Sequence, residues 1–277
     1  MSWTYSVDFI HPNFDSKLYV IHPALTKTMQ QNICQWFDHG SGRIVLDLER
    51  QGFTRLTEQL FGYHLLQLGW LDENQPMMVN SQLTHQFMLG QVERSETIDY
   101  LTASFEQLPL MTDTIDAVVL PHTLDFCQDP QQVLREVERI LIPEGRVLIS
   151  GFNPVSFSGI RRYLFRHNRQ VPWNGHFVSY TRLHDWLSLL GFEVEMTEVQ
   201  MFRPLLQNQR FMQKLEFMEK TGSRLWPRFG SVYLIRAVKR VSTLTPIKPV
   251  WKRRPRLLTP VVEPSTRGLS RSKELKN

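Results

Sequence analysis

One stretch of the chain, from Ile115 to Pro154, constrains its fold more than any other. Ile115–Leu120 is a short, almost wholly apolar run, which is typical of a strand covered on both faces. Asp129-Pro130 then offers a helix N-cap followed by a proline in the first helical position, and apolar residues recur beyond it at helical spacing. Pro143-Glu144-Gly145 predicts a stop, and Arg146–Ser150 is a second run typical of a buried strand. The pattern predicts a βαβ unit, which joins two parallel strands by a right-handed crossover.

The same signals continue on both sides of this unit. Further strands are predicted at His64–Gly69, His85–Leu89, Thr97–Ala103, Phe192–Val199 and Ser231–Val238. Further helices are predicted at Arg43–Leu60, Phe157–Phe165, Thr181–Leu190 and Asn208–Thr221. Strands that alternate with helices predict an α/β sheet with helices on both faces. Such sheets bind ligands beyond the carboxyl ends of their strands, where the strand order reverses, and two of those ends are Gln67–Trp70 and Leu120–Asp125.

The helix predicted at Arg43–Leu60 is amphipathic. Its apolar stripe consists of Val45, Leu48, Leu56 and Leu60. The charged residues are assigned to the other faces of the helix, and they are Asp47, Glu49, Arg50, Arg55 and Glu58. Gly62 is expected to end the helix.

The second and third predicted strands stand close together in the chain. Only Val92–Glu96 separates them. A parallel crossover takes a dozen or more residues, usually with a helix. The two runs are therefore predicted either to form an antiparallel hairpin or to include one segment that is not a strand.

Periodicity and charge divide the chain into three parts. Residues 1–35 show no sustained periodicity and are predicted to be an irregular N-terminal extension, and residues 36–241 form the α/β domain. The net charge of the chain is +5, but nine Lys/Arg and two Glu between Leu244 and Asn277 give that end +7, which leaves −2 for the rest. The tail, 242–277, is also rich in proline and is predicted to be disordered. It is either a solvated tail or a binding segment for nucleic acid or another acidic partner.

Composition argues against several classes of protein. Cys34 and Cys127 lie in no CxxC motif or Cys/His cluster, so neither a disulfide framework nor a metal site is predicted. No apolar run reaches the length of about 18 residues that a membrane span requires, and the N-terminus lacks a basic segment followed by an apolar one. A cytoplasmic protein without a membrane partner is expected, and the sequence carries no signal for its oligomeric state.

The order of these pieces resembles that of the class I S-adenosylmethionine-dependent methyltransferases, in the type 11-like subgroup whose motif runs roughly "eeLPf…sFDvVv..hvleh..dp..aLrEi.RvLkPGGrlvi". The matching residues here are Phe105–Leu110, Ile115–Val119, His122–Asp125, Asp129-Pro130, Leu134–Val137 and Arg139–Gly145. More narrowly, Phe61–Trp70 and Gly151–Arg162 look like a small bacterial branch of that family. The resemblance covers about residues 60–240. It implies a Rossmann-like fold with a mostly parallel twisted sheet and an antiparallel last strand.

The same resemblance implies S-adenosylmethionine as the cofactor, with a methyl acceptor, small or macromolecular, that it does not identify. The cofactor would lie against the end of the first strand, the segment after the third strand and the end of the first strand of the βαβ unit. The residues implied in binding it are Gln67, Leu68, Gly69, Trp70, Ser104, Phe105, Leu120, Pro121 and His122.

Three places depart from the family pattern. The glycine-rich loop, close to "DxGxGxG" in the family, is here Gln67–Asp72 and contains one glycine. The acid that binds the ribose hydroxyls after the second strand has only Glu93 as a counterpart, out of register. In the family, an acid or amide binds the adenine amino group, and the residue at that position here is Ser104. The cofactor site is therefore predicted to be either remodelled or impaired.

Each of these residues also has a structural interpretation. Gly69 either opens the cofactor loop or ends a strand in a tight turn. Trp70 either stacks on the adenosine or caps the core. Ser104 and Phe105 are candidate contacts of adenine, Ser104 through its hydroxyl or backbone and Phe105 by packing.

The catalytic candidates carry the same ambiguity. His122 is either a general base for an acceptor at the mouth of the site or a link from its loop to the helix Asp129–Leu141. Asp125 shares both interpretations. Asn153 either contacts the acceptor or forms a turn with the proline after it, and Asp116 is interpreted as a structural residue at the sheet boundary.

Two hypotheses about function follow. The first is an enzyme that transfers a methyl group from S-adenosylmethionine. The sulfonium is already activated, so such an enzyme needs mainly to position its acceptor and does not require an obvious base. The alternative is a catalytically impaired protein of the methyltransferase fold that binds a ligand, or that associates with RNA or an acidic partner through the tail 242–277.

Overall fold

The structure of the protein is a computed structural model that describes residues 23–58, 60–69, 77, 83–90, 100–156, 158–160, 172–203, 221–222 and 224–241. The helices are α1 Pro23–Asp38, α2 Gly40–Thr57, α3 Thr123–Phe126, α4 Pro130–Ile140 and α5 Tyr180–Leu189. The strands are β1 His64–Leu68, β2 His85–Gly90, β3 Tyr100–Thr102, β4 Ile115–Pro121, β5 Leu141–Phe152, β6 Phe192–Gln200 and β7 Val232–Lys239.

The strands form one seven-stranded sheet in the order β3-β2-β1-β4-β5-β7-β6. The pairs from β3 to β5 are all parallel, whereas β7 runs antiparallel to both β5 and β6. This arrangement confirms the predicted Rossmann-like sheet, mostly parallel with an antiparallel last strand. The core lies along the central strands β1, β4, β5 and β7, where most residues are buried.

The βαβ unit β4–α4–β5 forms as its sequence predicts. The side chain of Asp129 accepts hydrogen bonds from the backbone amides of Gln131 and Gln132, and Pro130 begins α4. The predicted stop takes a different form, because β5 begins at Leu141 directly after the helix. Residues 143–145 belong to an irregularity in the β4–β5 pairing, with a positive φ of 64° at Glu144.

The alternatives predicted for the second and third strands are both wrong. β2 and β3 pair in parallel, with Met88 opposite Tyr100 and Gly90 opposite Thr102. Because β3 has three residues, the chain must return only about 10 Å to pair again in parallel. A return of about 10 Å requires only a few residues, which removes the need for the dozen or more that a longer crossover takes.

The prediction of an irregular extension is wrong for the end of that segment. α1 runs from Pro23 to Asp38, across the boundary predicted at residue 35, and it packs against α2. Ile33 and Phe37 are fully buried in the core. Among the other predictions, residues 158–160 are helical, whereas most of Asn208–Thr221 and the whole tail 242–277 lie outside the described residues.

Polar side chains bind backbone groups at the amino ends of the parallel strands. Asp116 Oδ2 accepts hydrogen bonds from the backbone amides of Tyr63 at 3.1 Å and His64 at 2.9 Å, which agrees with a structural role for this aspartate. Lys239 Nζ lies 3.0 Å from Asp113 Oδ1 and 3.2 Å from Glu138 Oε1. It also donates to the carbonyl oxygens of Glu138 and Leu141. The amino edge is thus held by groups with satisfied hydrogen bonds.

Candidate functional site

The strand order reverses between β1 and β4, and the predicted site residues gather at the carboxyl ends of these strands. From β1 the chain proceeds to β2 and β3 on one side, and from β4 it proceeds to β5 on the other. A parallel sheet of this kind offers a ligand crevice at such a reversal. Gln67 and Gly69 lie at the end of β1, and Leu120–His122 at the end of β4.

Gln67 is buried at the end of β1 with half of its amide in use. Its Oε1 accepts a hydrogen bond from the backbone amide of Met77 at 2.9 Å. Its Nε2 has no hydrogen-bond partner among the described residues. A buried donor without a partner costs free energy, so this amide is suited to an acceptor that the described residues do not supply.

Gly69 makes a close approach to the start of α3. Its backbone amide donates to Leu89 O at 3.1 Å, and a Cβ at this position would lie 2.8 Å from Thr123 Oγ1. Thr123 Oγ1 in turn donates to Leu68 O at 2.5 Å. The glycine therefore lets the ends of β1 and β4 come together, which is a structural reason for it. Trp70 lies outside the described residues.

The segment after β3 is fixed from α4. Glu136 accepts a hydrogen bond from the backbone amide of Leu108 at 2.8 Å, and Arg139 donates to Leu108 O and to Leu110 O. Within this segment the Ser104 hydroxyl donates to Glu106 Oε2 at 2.5 Å, and Phe105 is fully buried. Glu136 and Arg139 thus hold the segment that carries Ser104 against the rest of the domain.

His122 lies in the interior and not at the mouth of a site, so the predicted location of its side chain is wrong. It is 1% exposed and adopts a left-handed backbone conformation, with φ 52°, between β4 and α3. Its Nδ1 lies 2.9 Å from Asp125 Oδ2, and its Nε2 lies 2.7 Å from Glu49 Oε1 of α2. The predicted link to the helix Asp129–Leu141 is also wrong, because the ring contacts α2 and α3. We call Glu49, His122 and Asp125 the buried triad.

Aromatic rings enclose the triad. The ring of Phe152 in β5 lies 4.1 Å from the His122 ring, and Phe37 of α1 lies 5.2 Å from it. The backbone amide of Phe152 also donates to Asp125 Oδ2 at 2.9 Å. Burial therefore removes the triad from water, so the His122 ring and the two carboxyl groups interact without screening by solvent.

This environment moves the pKa values of the triad. Burial lowers the pKa of His122, but the attraction of Glu49, together with the hydrogen bonds to Asp125 and Glu49, outweighs it and raises that pKa from 6.5 to about 9. Burial raises the pKa of Asp125 against the opposing effect of His122. Burial and the charge of Asp125 likewise raise the pKa of Tyr233 in β7. His122 is thus a cation at neutral pH.

Comparison with known proteins identifies the family. Residues 40–149 match the model of the type 11 methyltransferase domain. The chain is 34% identical over 219 residues to the Escherichia coli protein YafS. The matched region covers 76% of this chain and 82% of YafS. It is also 29% identical over 100 residues to a malonyl-[acyl-carrier protein] O-methyltransferase of Methylovorus, which covers 36% of this chain and 33% of that one. The chain belongs to the class I S-adenosylmethionine-dependent methyltransferases.

A solved structure agrees with this family in fold. It is an S-adenosylmethionine-dependent methyltransferase from Thermotoga maritima, described as a possible histamine N-methyltransferase. It is 21% identical to this chain, and the two structures superpose with a TM-score of 0.54. The match covers 74% of this chain and 93% of the Thermotoga maritima chain. Within the described residues, no helix is long and apolar enough to cross a membrane.

The cofactor of this family is S-adenosylmethionine, and the carboxyl edge between β1 and β4 suits it. Its methionyl carboxylate is an acceptor, and Gln67 Nε2 is a buried donor that lacks one within the described residues. Residues 70–76 and 91–99, where the family places the rest of its loop and its ribose acid, lie outside the described part of the chain. Among the described groups, Gln67 Nε2 is a donor that matches the methionyl end of the cofactor.

Glu49 is the site residue that the sequence interpretation missed, because its charge placed it on the solvent side of α2. It is fully buried. The helical spacing did carry the signal, since Glu49 lies four residues after Val45 and four before Phe53, both of them buried. A charged residue on an apolar stripe indicates a buried partner, here His122.

Asn153 makes structural contacts with every polar atom of its side chain. Its Nδ2 donates to Arg228 O at 2.9 Å and to Gly230 O at 3.0 Å, and its Oδ1 accepts from the backbone amide of Val155. The residue is fully buried. These bonds tie the end of β5 to the segment before β7, which is the turn-forming interpretation of Asn153.

Proposed function

We propose that the chain binds S-adenosylmethionine at the carboxyl edge between β1 and β4 and transfers its methyl group to an acceptor. The observation that supports this most directly is the buried Nε2 of Gln67, which lacks a partner among the described residues at the point where a class I methyltransferase sheet reverses its strand order. Gly69, Ser104 and the end of β4 would form the adjoining walls.

The residues of this chain would contribute by binding and orientation. The bound cofactor supplies an activated methyl group, so the protein has to hold the acceptor in line and exclude water. Gln67 would hold the methionyl carboxylate, and Gly69 leaves its neighbourhood free of a side chain. Glu136 and Arg139 would keep the Ser104 segment in place.

The acceptor that fits best is one whose reacting atom is already unprotonated at neutral pH, such as a carboxylate. The titratable candidates His122 and Asp125 are both buried and engaged with each other, which leaves neither free to remove a proton from an acceptor. The similarity to malonyl-[acyl-carrier protein] O-methyltransferases supports a carboxylate in particular. Turnover on carboxylic acids, either free or as carrier-bound acyl groups that keep a free carboxylate, compared with amines and alcohols of similar size, tests this choice.

Calorimetry with S-adenosylmethionine and S-adenosylhomocysteine tests the binding step. We expect both to bind the full chain, and we expect Gln67→Leu to weaken binding by roughly tenfold or more, because a buried hydrogen bond to a charged group is lost. Gln51→Leu, which changes an exposed glutamine of α2, is the matched control and should bind as the wild type does. Absence of heat from the wild type with millimolar ligand would contradict the proposal.

A protein of this fold that binds without catalysis is the second candidate. It is favoured by the single glycine of Gln67–Asp72 and by the burial of every catalytic candidate that the sequence suggested. Labelled cofactor separates the two. Transfer of the labelled methyl group to any component of a cell extract supports the enzyme, whereas binding of the cofactor without transfer supports the second candidate.

A further inference from the structure

The turn Pro121–Thr123 is held in place at several points around the strand reversal. The backbone amide of His122 donates to Ser150 O of β5 at 3.1 Å. Thr123 Oγ1 donates to Leu68 O at the end of β1. The turn therefore joins the ends of β1, β4 and β5, and it lies where the family binds its cofactor.

The backbone of this turn adopts a conformation that needs support. His122 has φ 52°, in the left-handed region that residues with a side chain adopt infrequently. The hydrogen bonds of the turn to β1 and β5 involve its main chain and Thr123. The His122 side chain packs on Phe152 of β5 and makes its polar contacts elsewhere. Asp125 holds one ring nitrogen from within α3, and Glu49 holds the other from α2.

Glu49 reaches the turn from outside the sheet. It lies on α2, which packs against α1, β5 and β7. Its Oε1 is 2.7 Å from His122 Nε2, and both side chains are 1% exposed. Because solvent does not screen this ion pair, a change in the charge of either partner is expected to act strongly on the other.

We propose that Glu49 is a positioning residue of the cofactor site: its carboxylate holds the His122 side chain, and through it the turn Pro121–Thr123, in the geometry that binds S-adenosylmethionine. This inference rests on the proposed function, because it assigns Glu49 a part in that same site. Nothing in the arrangement requires Glu49 to touch the cofactor.

The groups that face His122 determine how the charge of the buried triad changes with pH. Glu49 faces it from α2 and Asp125 from α3, and the charge of Asp125 also acts on the Tyr233 hydroxyl of β7. α1 and β5 contribute the uncharged rings of Phe37 and Phe152. With a pKa raised to about 9, the imidazolium persists through neutral pH and is lost on the alkaline side. Cofactor binding should weaken over the same range.

The test is the affinity of the full chain for S-adenosylmethionine across pH, measured by calorimetry for the wild type and for Glu49→Gln. Glutamine keeps the volume and an oxygen acceptor but removes the charge. We expect roughly fivefold or more loss of affinity at neutral pH. We also expect the pH at which affinity declines to move from about 9 towards 6.5. Asp47→Asn removes a carboxylate from an exposed position of the same helix and should change neither quantity.

A second measurement reports on the triad without any cofactor. The NMR titration of the His122 ring in the free protein should have its midpoint near pH 9 in the wild type and lower in Glu49→Gln. In a His122→Gln background, Glu49→Gln should have no further effect on affinity, because Glu49 acts through His122.

The outcomes separate the two proposals. A wild type that fails to bind the cofactor overturns the proposed function and the present inference together. A wild type that binds, combined with an unchanged pH profile in Glu49→Gln, overturns the inference alone. Loss of stability in Glu49→Gln with an unaltered profile would show a purely structural role and would likewise overturn it.

Discussion

The two ends of the sheet each hold a charged side chain in the interior, and they satisfy it differently. At the amino end, the ammonium of Lys239 contacts two carbonyl oxygens and the carboxylates of Asp113 and Glu138, which are partly exposed. At the carboxyl end, the buried triad is closed to solvent. Asp125 Oδ1 and Glu49 Oε2 have no hydrogen-bond partner in the described part of the chain.

This difference underlies our proposal that the cluster at the carboxyl end serves the cofactor site, whereas the cluster at the amino end is structural. A cation with satisfied bonds and partly solvated partners can be replaced at moderate cost. A wholly buried triad with unused acceptor atoms depends above all on its histidine, because loss of the imidazolium leaves two buried carboxylates without a cation. Groups that cost stability are retained where function requires them, and the triad lies at the ligand-binding edge of the sheet.

Removal of the central histidine should have the largest effect. His122→Ala would leave Glu49 and Asp125 as two buried carboxylates without a cation between them, so we expect the free energy of unfolding to fall by about 3–5 kcal/mol. Urea denaturation at neutral pH measures it. His184→Ala, which removes a half-buried histidine of α5 bonded to Thr197, is the control and should cost about 1 kcal/mol or less. Equal losses in the two variants would contradict the special position of the triad.

The pH dependence of stability should show the next effect. His122 has a folded pKa of about 9 against 6.5 in the unfolded chain, so its contribution is fully present below pH 6.5 and is lost as pH rises through about 9. The difference corresponds to on the order of 3 kcal/mol. Urea denaturation across this range should show the decline in the wild type and in Lys239→Met, but much less of it in His122→Ala. A flat profile in the wild type would refute a raised pKa for His122.

Replacement of the cation at the amino end should cost less. Lys239→Met keeps the aliphatic stem and removes the ammonium, after which water can reach Asp113, whose side chain is 48% exposed. The carbonyl oxygens of Glu138 and Leu141 lose a donor, so we expect a loss of about 1–2 kcal/mol in the free energy of unfolding. The same urea experiment at neutral pH measures it. A loss as large as that of His122→Ala would mean that the two ends do not differ as the structure indicates.

The sequence predicted the frame of this molecule better than its interior polar groups. Alternating apolar runs and the cap at Asp129 predicted β4, α4 and β5, because local periodicity and capping determine these elements. The same reasoning located the carboxyl edge with Gln67 and Gly69. It did not predict the parallel pairing of β2 with β3, since a very short strand relaxes the usual length of a crossover.

Side-chain partners far apart in the chain were harder to predict. The environment of His122 comes from Glu49 on α2 and Phe37 on α1, and no local pattern near His122 carries that information. Glu49 could have been recognised from its place on the apolar stripe of α2, had spacing been given more weight than charge. α1 was also missed, although Ile33 and Phe37 stand at helical spacing and pack in the core.

The smallest effect should come from Asp116, which caps the start of β1 at the amino end. Asp116→Asn keeps one oxygen that can accept from the amides of Tyr63 and His64, but it exchanges charge-assisted bonds for neutral ones. We expect a loss of about 0.5–1 kcal/mol in urea denaturation, without any change in cofactor affinity. Asp185→Asn, at an exposed position of α5, should cost about 0.5 kcal/mol or less. A cofactor site at the carboxyl edge should not depend on a cap at the amino edge. If Asp116→Asn weakened cofactor binding while leaving stability intact, the assignment of a purely structural role to the amino end would be wrong.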